Sequence, residues 1–296
     1  MATNRALKGR IRSVNNTRKI TRTMELVATS KLKRAQDRVT AARPFAQALS
    51  EVIADLATPD LASQFPLLRT WPKPAAGGPG RAVVILITSN RGLAGGFNAN
   101  LIKAARVQIA EIEKAGTRVE VHVIGKKGIG YFKYVGRELA SQRIDVTDRP
   151  TAENASEIVD ALMAEYIAGE LDGVYVTYAK FVSALSTPPT TERILPVTPP
   201  KAKEGEGGGQ RDYLLFPSAE AILTELLPSY VRNAVYRALV ETVAGEQSAR
   251  RTAMKNATDN AGDILNVLRR TYNRARQAQI TQEIAEIVGG AAALQG

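Results

Sequence analysis

A glycine-rich turn, SNRGLAGGFN (Ser89 to Asn98), stands between an apolar run that reads as a strand and a stretch with helical spacing. A loop cradling a phosphate would occupy that position. The turn lacks the GxGxxG order, and GKKGIG (Gly125 to Gly130) lacks both the Walker spacing and its closing Lys-Ser/Thr, so a structural role is expected of each. His122, the only histidine, sits in VEVHVIG, a strand-like context that favours a packed or solvent-facing imidazole. Glu153, Asp160 and Glu165 are scattered over one helical stretch, with no sign that two of them face each other across a cleft. The absence of cysteine removes disulfides, thiolate nucleophiles and Cys-based metal sites. No catalytic residue, cofactor or metal is therefore expected.

Charge is the stronger signal. Of the net +11, nearly all falls between Arg5 and Arg43, where twelve Arg and Lys face only Glu25 and Asp37. Such a segment suits an acidic partner: nucleic acid, anionic lipid or carboxylate-rich protein loops. No run approaches the roughly 18 to 20 apolar residues of a membrane span, and the N-terminal segment lacks the apolar block of a secretory signal, so a cytosolic compartment is expected.

These residues need elements to carry them. From Leu7 to Leu56 apolar and small residues recur at helical spacing, and Ala28, Leu32, Ala35, Val39, Ala42, Ala46, Leu49, Ile53 and Leu56 alternate steps of four and three, a coiled-coil seam. In the first half the richer stripe is Ile11, Val14, Thr17, Ile20, Met24 and Val27, offset by one position, which predicts a drifting register. Pro44 predicts a bend rather than a stop. A second long helix is expected from Ser218 to about Val288, kinked at Pro228 and ended by Gly289 and Gly290. It carries small residues at Ala249, Ala253, Ala257 and Ala261, then apolar ones at Ile264, Leu268, Tyr272, Ala275, Ile280, Ile284, Ile287 and Val288. Two helices of about 75 and 105 Å, each with a narrow apolar stripe, are best satisfied by antiparallel packing on each other.

Between them RAVVILITS (Arg81 to Ser89) reads as a buried parallel strand, followed by a helix from about Asn98 to Ala115. A strand at Arg118 to Ile124, a short glycine-bracketed helix, a helix from Thr151 to Glu170 and a strand at Leu171 to Val182 follow. Thr190 to Val197 and Tyr213 to Phe216 are candidates for a hairpin around the loop from Pro199 to Arg211. The expected fold class is α plus α/β: a long antiparallel coiled coil of N- and C-terminal helices plus a central Rossmann-like α/β domain. Its parts are expected at residues 1–58, 80–216 and 217–290.

The blocks LKGRIRSVNNTRKITRTMELVATSKLKRAQ, SNRGLAGGFN and EQSARRTAMKNATDNAGDILNVLRRTYNRARQAQITQEIAEIVGGAAAL, in that order, resemble the gamma subunit of F-type (rotary) ATP synthases. The resemblance implies a central-stalk rotor and no enzyme by itself. The terminal helices would form a shaft within a ring of alpha and beta subunits, and the α/β domain a foot beside the epsilon subunit and the membrane rotor ring of c subunits. It places the contact with the beta subunits at Arg18, Lys19, Arg22 and Met24 and at Arg276 and Gln277, and the whole on the cytoplasmic face of a bacterial inner membrane. Asn90, Ala94 and Thr23 stand where that family more often has Asp, Cys and Ala. The regulatory cysteine pair of chloroplast gamma subunits has no counterpart here. Two other classes remain open on the residues alone. A nucleic-acid binder would use the basic helix, though thin aromatic content argues against base stacking. A nucleotide-dependent enzyme would use the central domain.

Overall fold

The computed structural model describes residues 4–56, 64–69, 80–198 and 218–295. Helix α1 runs Asn4–Leu56, passing Pro44 without interruption. The strand β1 (Gly80–Ile87) follows, then α2 (Phe97–Lys114), β2 (Thr117–Ile124), α3 (Lys126–Val135), β3 (Ser141–Arg143), α4 (Ala152–Ile167), β4 (Gly173–Ala179), β5 (Pro189–Leu195) and α5 (Ala219–Gln295). The chain divides into two compact units, Met1–Ala28 with Arg250–Gly296, and Thr29–Ala249.

The second unit is built on a five-stranded sheet ordered β3-β2-β1-β4-β5. β1 has no polar alternation because both its faces are covered: Val83, Ile85 and Ile87 enter one core with α4 and segments of α1 and α5, while Ala82, Val84 and Leu86 enter another with α2 and α3. β1 pairs in parallel with β2 and β4, and β3 in parallel with β2. β5 closes the edge antiparallel to β4. The expected strand at Thr190 to Val197 thus exists, but its partner is β4; the proposed partner Tyr213 to Phe216 lies outside the described residues. The three-residue β3 was not anticipated, because SQR carries no apolar signal.

Helix α4 begins with a reciprocal cap, Thr151 Oγ1 accepting from Asn154 N–H at 3.3 Å and Thr151 N–H donating to Asn154 Oδ1 at 3.1 Å. Its buried residues Ala155, Ile158, Val159, Leu162, Met163 and Tyr166 recur at helical spacing on one face. Each large one contributes roughly 1.5–3 kcal/mol of burial. Segments of α1 and α5 pack in the same unit: Leu32, Ala35 and Val39 with Val240 and Ala244, and Leu49 and Ile53 in one core with Leu223, Leu227 and Val231. Numbers rise along α1 as they fall along α5, so the two run antiparallel.

The first unit consists of the remaining parts of those helices. Thr258 Oγ1 donates to Thr21 Oγ1 at 2.8 Å, and Asn4 Nδ2 donates to Gln279 Oε1, again an antiparallel order. Buried here are Leu7, Ala28, Met254, Ala261 and Leu265. Three sequence expectations are corrected. The α1 seam keeps one register apart from one position: Leu7, Ile11, Val14, Thr21, Glu25 and Ala28 are buried or half-buried, with Arg18, the step between Val14 and Thr21, exposed. Of the richer stripe Ile11, Val14 and Met24 are half-buried, whereas Thr17, Ile20 and Val27 are exposed. Polar Thr21 sits in the seam because Thr258 meets its hydroxyl. On α5 the seam residue is Leu265, fully buried, and its neighbour Ile264 is 50% exposed. Nor do Gly289 and Gly290 end the helix, which continues to Gln295. Each glycine costs about 1 kcal/mol against alanine, but neither is required to leave the helical region, and three alanines follow.

Candidate partner-binding surface

Arg18 and Arg22 lie one turn apart on α1, with Lys19 beside them. Facing them on α5 are Asp259 and Asp263, also one turn apart, with Thr258, Gly262 and Asn266. Together with Thr23 these residues line an open groove of about 830 Å³. Gly262 faces open space, and a Cβ there would meet no atom within 4 Å. Arg22 Nη1 holds Glu25 Oε2 at 2.9 Å, but with Arg22 59% exposed the pair contributes about 1 kcal/mol or less. The groove is thus a polar trough with cations on one wall and carboxylates on the other, suited to a segment carrying both signs or an array of hydrogen-bonding groups.

Of the residues singled out in the sequence, Arg18, Lys19 and Arg22 come together here. Met24 is half-buried and does not line the groove, while Arg276 and Gln277 are exposed on α5. Arg276 lies ten residues beyond Asn266, about 15 Å along the helix, so the two sets form separate patches. The carboxylate wall was missed because it becomes visible only when Thr21 is set opposite Thr258. Other members of the basic run act inside the second unit: Lys31 pairs with Asp148 at 2.5 Å, and Arg38 donates to the Asp148 carbonyl at 3.0 Å.

The glycine turn has a structural account. Asn90 Oδ1 accepts the Lys126 N–H at 3.0 Å and Thr88 Oγ1 accepts the Gly128 N–H at 3.0 Å, so first-turn donors of α3 are already engaged. A Cβ on Gly125, whose φ is +101°, would lie 2.2 Å from the Thr88 carbonyl oxygen. The Asn90 amide also donates to the carbonyls of Ile144 and Val146 at 3.2 and 3.1 Å. Asn90→Asp keeps the accepted bond but turns an anionic oxygen toward two carbonyls. It is expected to lower unfolding free energy by about 1–3 kcal/mol, checked by urea denaturation.

His122 borders a cavity of about 170 Å³ with Ser141, Arg143, Glu157 and Glu165 among its lining. Arg81 grips Glu120 through two bonds of 2.8 and 2.9 Å and reaches Glu165 at 2.9 Å, while Arg143 holds Asp145 and Glu157 at 2.5 Å. Asp160 is likewise held by Arg232 at 2.7 and 3.0 Å, and Glu153 is exposed. The carboxylates around the imidazole are thus engaged structurally. Burial, together with Arg81, holds the His122 pKa below its ordinary value against the opposing pull of Glu120 and Glu165. The unfolded chain therefore takes up this proton first as pH falls. The stability supported by neutral His122 is present above about pH 6.5 and declines below it. His122→Gln is expected to flatten that acid decline, read from unfolding midpoints between pH 7 and 5. Among the described residues no cluster of His, Asp and Glu is arranged to hold a metal ion, and no helix is long and apolar enough to cross a membrane.

An antiparallel helix pair with a polar groove and exposed apolar side chains, alongside an α/β unit whose polar clusters are internally paired, defines a structural, partner-binding protein. Comparison with known proteins gives the family. Residues 3–294 match the ATP synthase family pattern. The chain is 65% identical over 296 residues to the ATP synthase gamma chain of Gemmatimonas aurantiaca, covering 100% of both. It is 41% identical over 298 residues to that of Psychrobacter cryohalolentis, covering 99% of this chain and 100% of the relative. A chain in the Euglena gracilis mitochondrial ATP synthase structure shares the fold, with a TM-score of 0.67 at 19% identity, covering 98% of this chain and 94% of that one. The protein belongs to the ATP synthase gamma chain family, and it is a central-stalk rotor chain rather than a catalytic one.

Proposed function

We propose that this chain turns within a ring of alpha and beta subunits, with its α/β domain beside the epsilon subunit and the ring of c subunits, at the cytoplasmic face of a bacterial inner membrane. The observation that carries this reading is full-length identity of 65% to an ATP synthase gamma chain. A shaft so enclosed has two physical requirements. Its outward face must tolerate dehydration, and Ile20, Leu26, Val27, Ile264, Val267, Ile280, Ile284, Ile287 and Val288 are large apolar residues that the chain alone leaves exposed. Its directed contacts must be few and placed, and Arg18, Lys19 and Arg22 at the groove, Met24 beside it, and Arg276 with Gln277 further along α5 are the groups assigned to the beta subunits. Asymmetry then does the work. A rod that presents different faces to different catalytic subunits holds each in a different state, and turning it moves those states around the ring.

The carboxylates Asp259 and Asp263 on the groove wall disfavour a phosphate backbone as occupant. The test is affinity isolation of the tagged chain from native membranes. It should recover a complex with ATPase activity, while the purified chain alone should show no turnover. Turnover by the free chain, with contaminating complex excluded by mass spectrometry, contradicts the reading.

A further inference from the structure

Within the second unit, one face of α5 is joined to the β4–β5 hairpin by polar bonds over successive turns. Arg237 Nη2 donates to Glu192 Oε2 at 2.9 Å, and the Tyr178 hydroxyl donates to the other Glu192 oxygen at 2.8 Å. Glu241 Oε2 accepts the Phe181 N–H at 2.8 Å, and Thr242 Oγ1 accepts the Ala179 N–H at 3.3 Å. Ser248 donates to the Ala184 carbonyl. Gly245 lies between, and a Cβ there would come within 3.0 Å of Ala179 Cβ and 3.2 Å of the Phe97 ring. The helix α1 reaches the same point, since Arg43 Nη2 donates to the Phe181 carbonyl at 3.3 Å. Phe181 is therefore held by its N–H from α5 and by its carbonyl from α1. Its buried ring packs with Leu32, Ala35 and Val39 of α1 and Val240 and Ala244 of α5.

Apolar packing resists separation, yet it is non-directional and offers less against sliding. A peg seated between two helices and bonded through its own peptide resists both. Glu241 strengthens this point. Its side chain is only 8% exposed, and Arg237 Nε stands 3.8 Å away, so the carboxylate carries a desolvation cost that an apolar residue would avoid. Burial holds its pKa above the usual carboxylate range. An apolar residue there would avoid that cost but leave the buried Phe181 N–H without an acceptor, so what the carboxylate supplies is a directed bond that ties α5 to the peg.

We infer that Phe181, Glu241 and Arg237 form the mechanical joint that makes the α/β sheet and helices α1 and α5 turn as one body, and that they are positioning residues for energy coupling. This rests on the rotor reading. The test uses the whole complex in reconstituted vesicles and measures ATP-driven proton uptake per ATP hydrolysed against a rising opposing gradient. Phe181→Ala and Glu241→Ala are expected to match wild type without a gradient and to lose at least two-fold in the ratio under a large one, as hydrolysis continues. Glu241→Gln keeps an oxygen for the Phe181 N–H and should stay near wild type. Wild-type ratios for both alanine variants at every gradient overturn the joint. Because the chain has no cysteine, Ala184→Cys with Ser248→Cys can be bridged by a short bismaleimide in the Glu241→Ala background. Bridging should restore the ratio, and failure to restore it also overturns the joint. If an alanine variant fails to assemble, Phe181→Leu and Arg237→Lys are measured by the same ratio, with the same wild-type outcome counting against the proposal. A wild-type complex that hydrolyses ATP while taking up neither protons nor sodium would instead contradict the rotor reading itself.

Discussion

Leu265→Asp is expected to cost the isolated chain about 3–5 kcal/mol, whereas Ile264→Asp, one residue earlier, costs under about 1 kcal/mol. Leu265 is fully buried between the helices of the first unit, and Ile264 is 50% exposed. A carboxylate at 265 leaves water for a seam that includes Ala261 and Leu268; a carboxylate at 264 stays hydrated. The contrast isolates register from composition, because the two wild-type residues are isomers. Circular dichroism followed through urea denaturation reads both variants. Equal losses would mean that α5 does not present the face described here. If the shaft is enclosed as proposed, the order of severity is expected to narrow in the assembled complex, since the half-exposed Ile264 would then be covered.

The same pair shows where sequence reading succeeded and where it failed. β1 was legible because a strand covered on both faces must be apolar at every position, and RAVVILITS is. The α1 seam beyond Ala28 was legible because its outward positions are charged: Lys33, Arg34 and Asp37 flank Leu32 and Ala35. Before Ala28 that contrast vanishes. Ile20, Leu26 and Val27 are exposed while Thr21 and Glu25 occupy the seam, so the apolar stripe and the buried stripe share Ile11 and Val14 and part beyond them. A helix destined for burial in a larger assembly carries two apolar faces, and a single-chain criterion picks the richer one. The acidic wall of the groove failed for the same reason, since Asp259 and Asp263 oppose Arg18 and Arg22 only in the register set by Thr21 and Thr258. The Phe181 joint had no sequence signal at all. It joins residues sixty positions apart through a main-chain N–H, and no side-chain pattern encodes that donor.

Replacing Arg276 and Gln277 together by alanine is expected to leave the isolated chain's stability unchanged and to lower coupled turnover of the complex by ten-fold or more. Both side chains are exposed, and neither makes a side-chain hydrogen bond or ion pair among the described residues, so truncation removes nothing from the fold. Their value lies in what they offer a partner. The guanidinium presents five donors in a plane and the amide adds a donor and an acceptor, enough to hold a loop in one orientation. Hydrogen bonds to a charged group contribute about 1.5–3 kcal/mol each when water is excluded, and each 1.4 kcal/mol of contact made in only one rotational state is a factor of ten in the balance between states. Exposed, the same bonds contribute less than about 1 kcal/mol. Size of effect therefore reports burial in the complex. ATPase rate and ATP-driven proton uptake, measured together in vesicles, separate the outcomes: loss of both at normal assembly marks a contact used in turning, and wild-type values for both remove these residues from the mechanism. Arg276→Lys with Gln277 intact completes the test, because a point charge on a flexible stem keeps attraction but loses the fork, and an intermediate rate is the result that a directed contact requires.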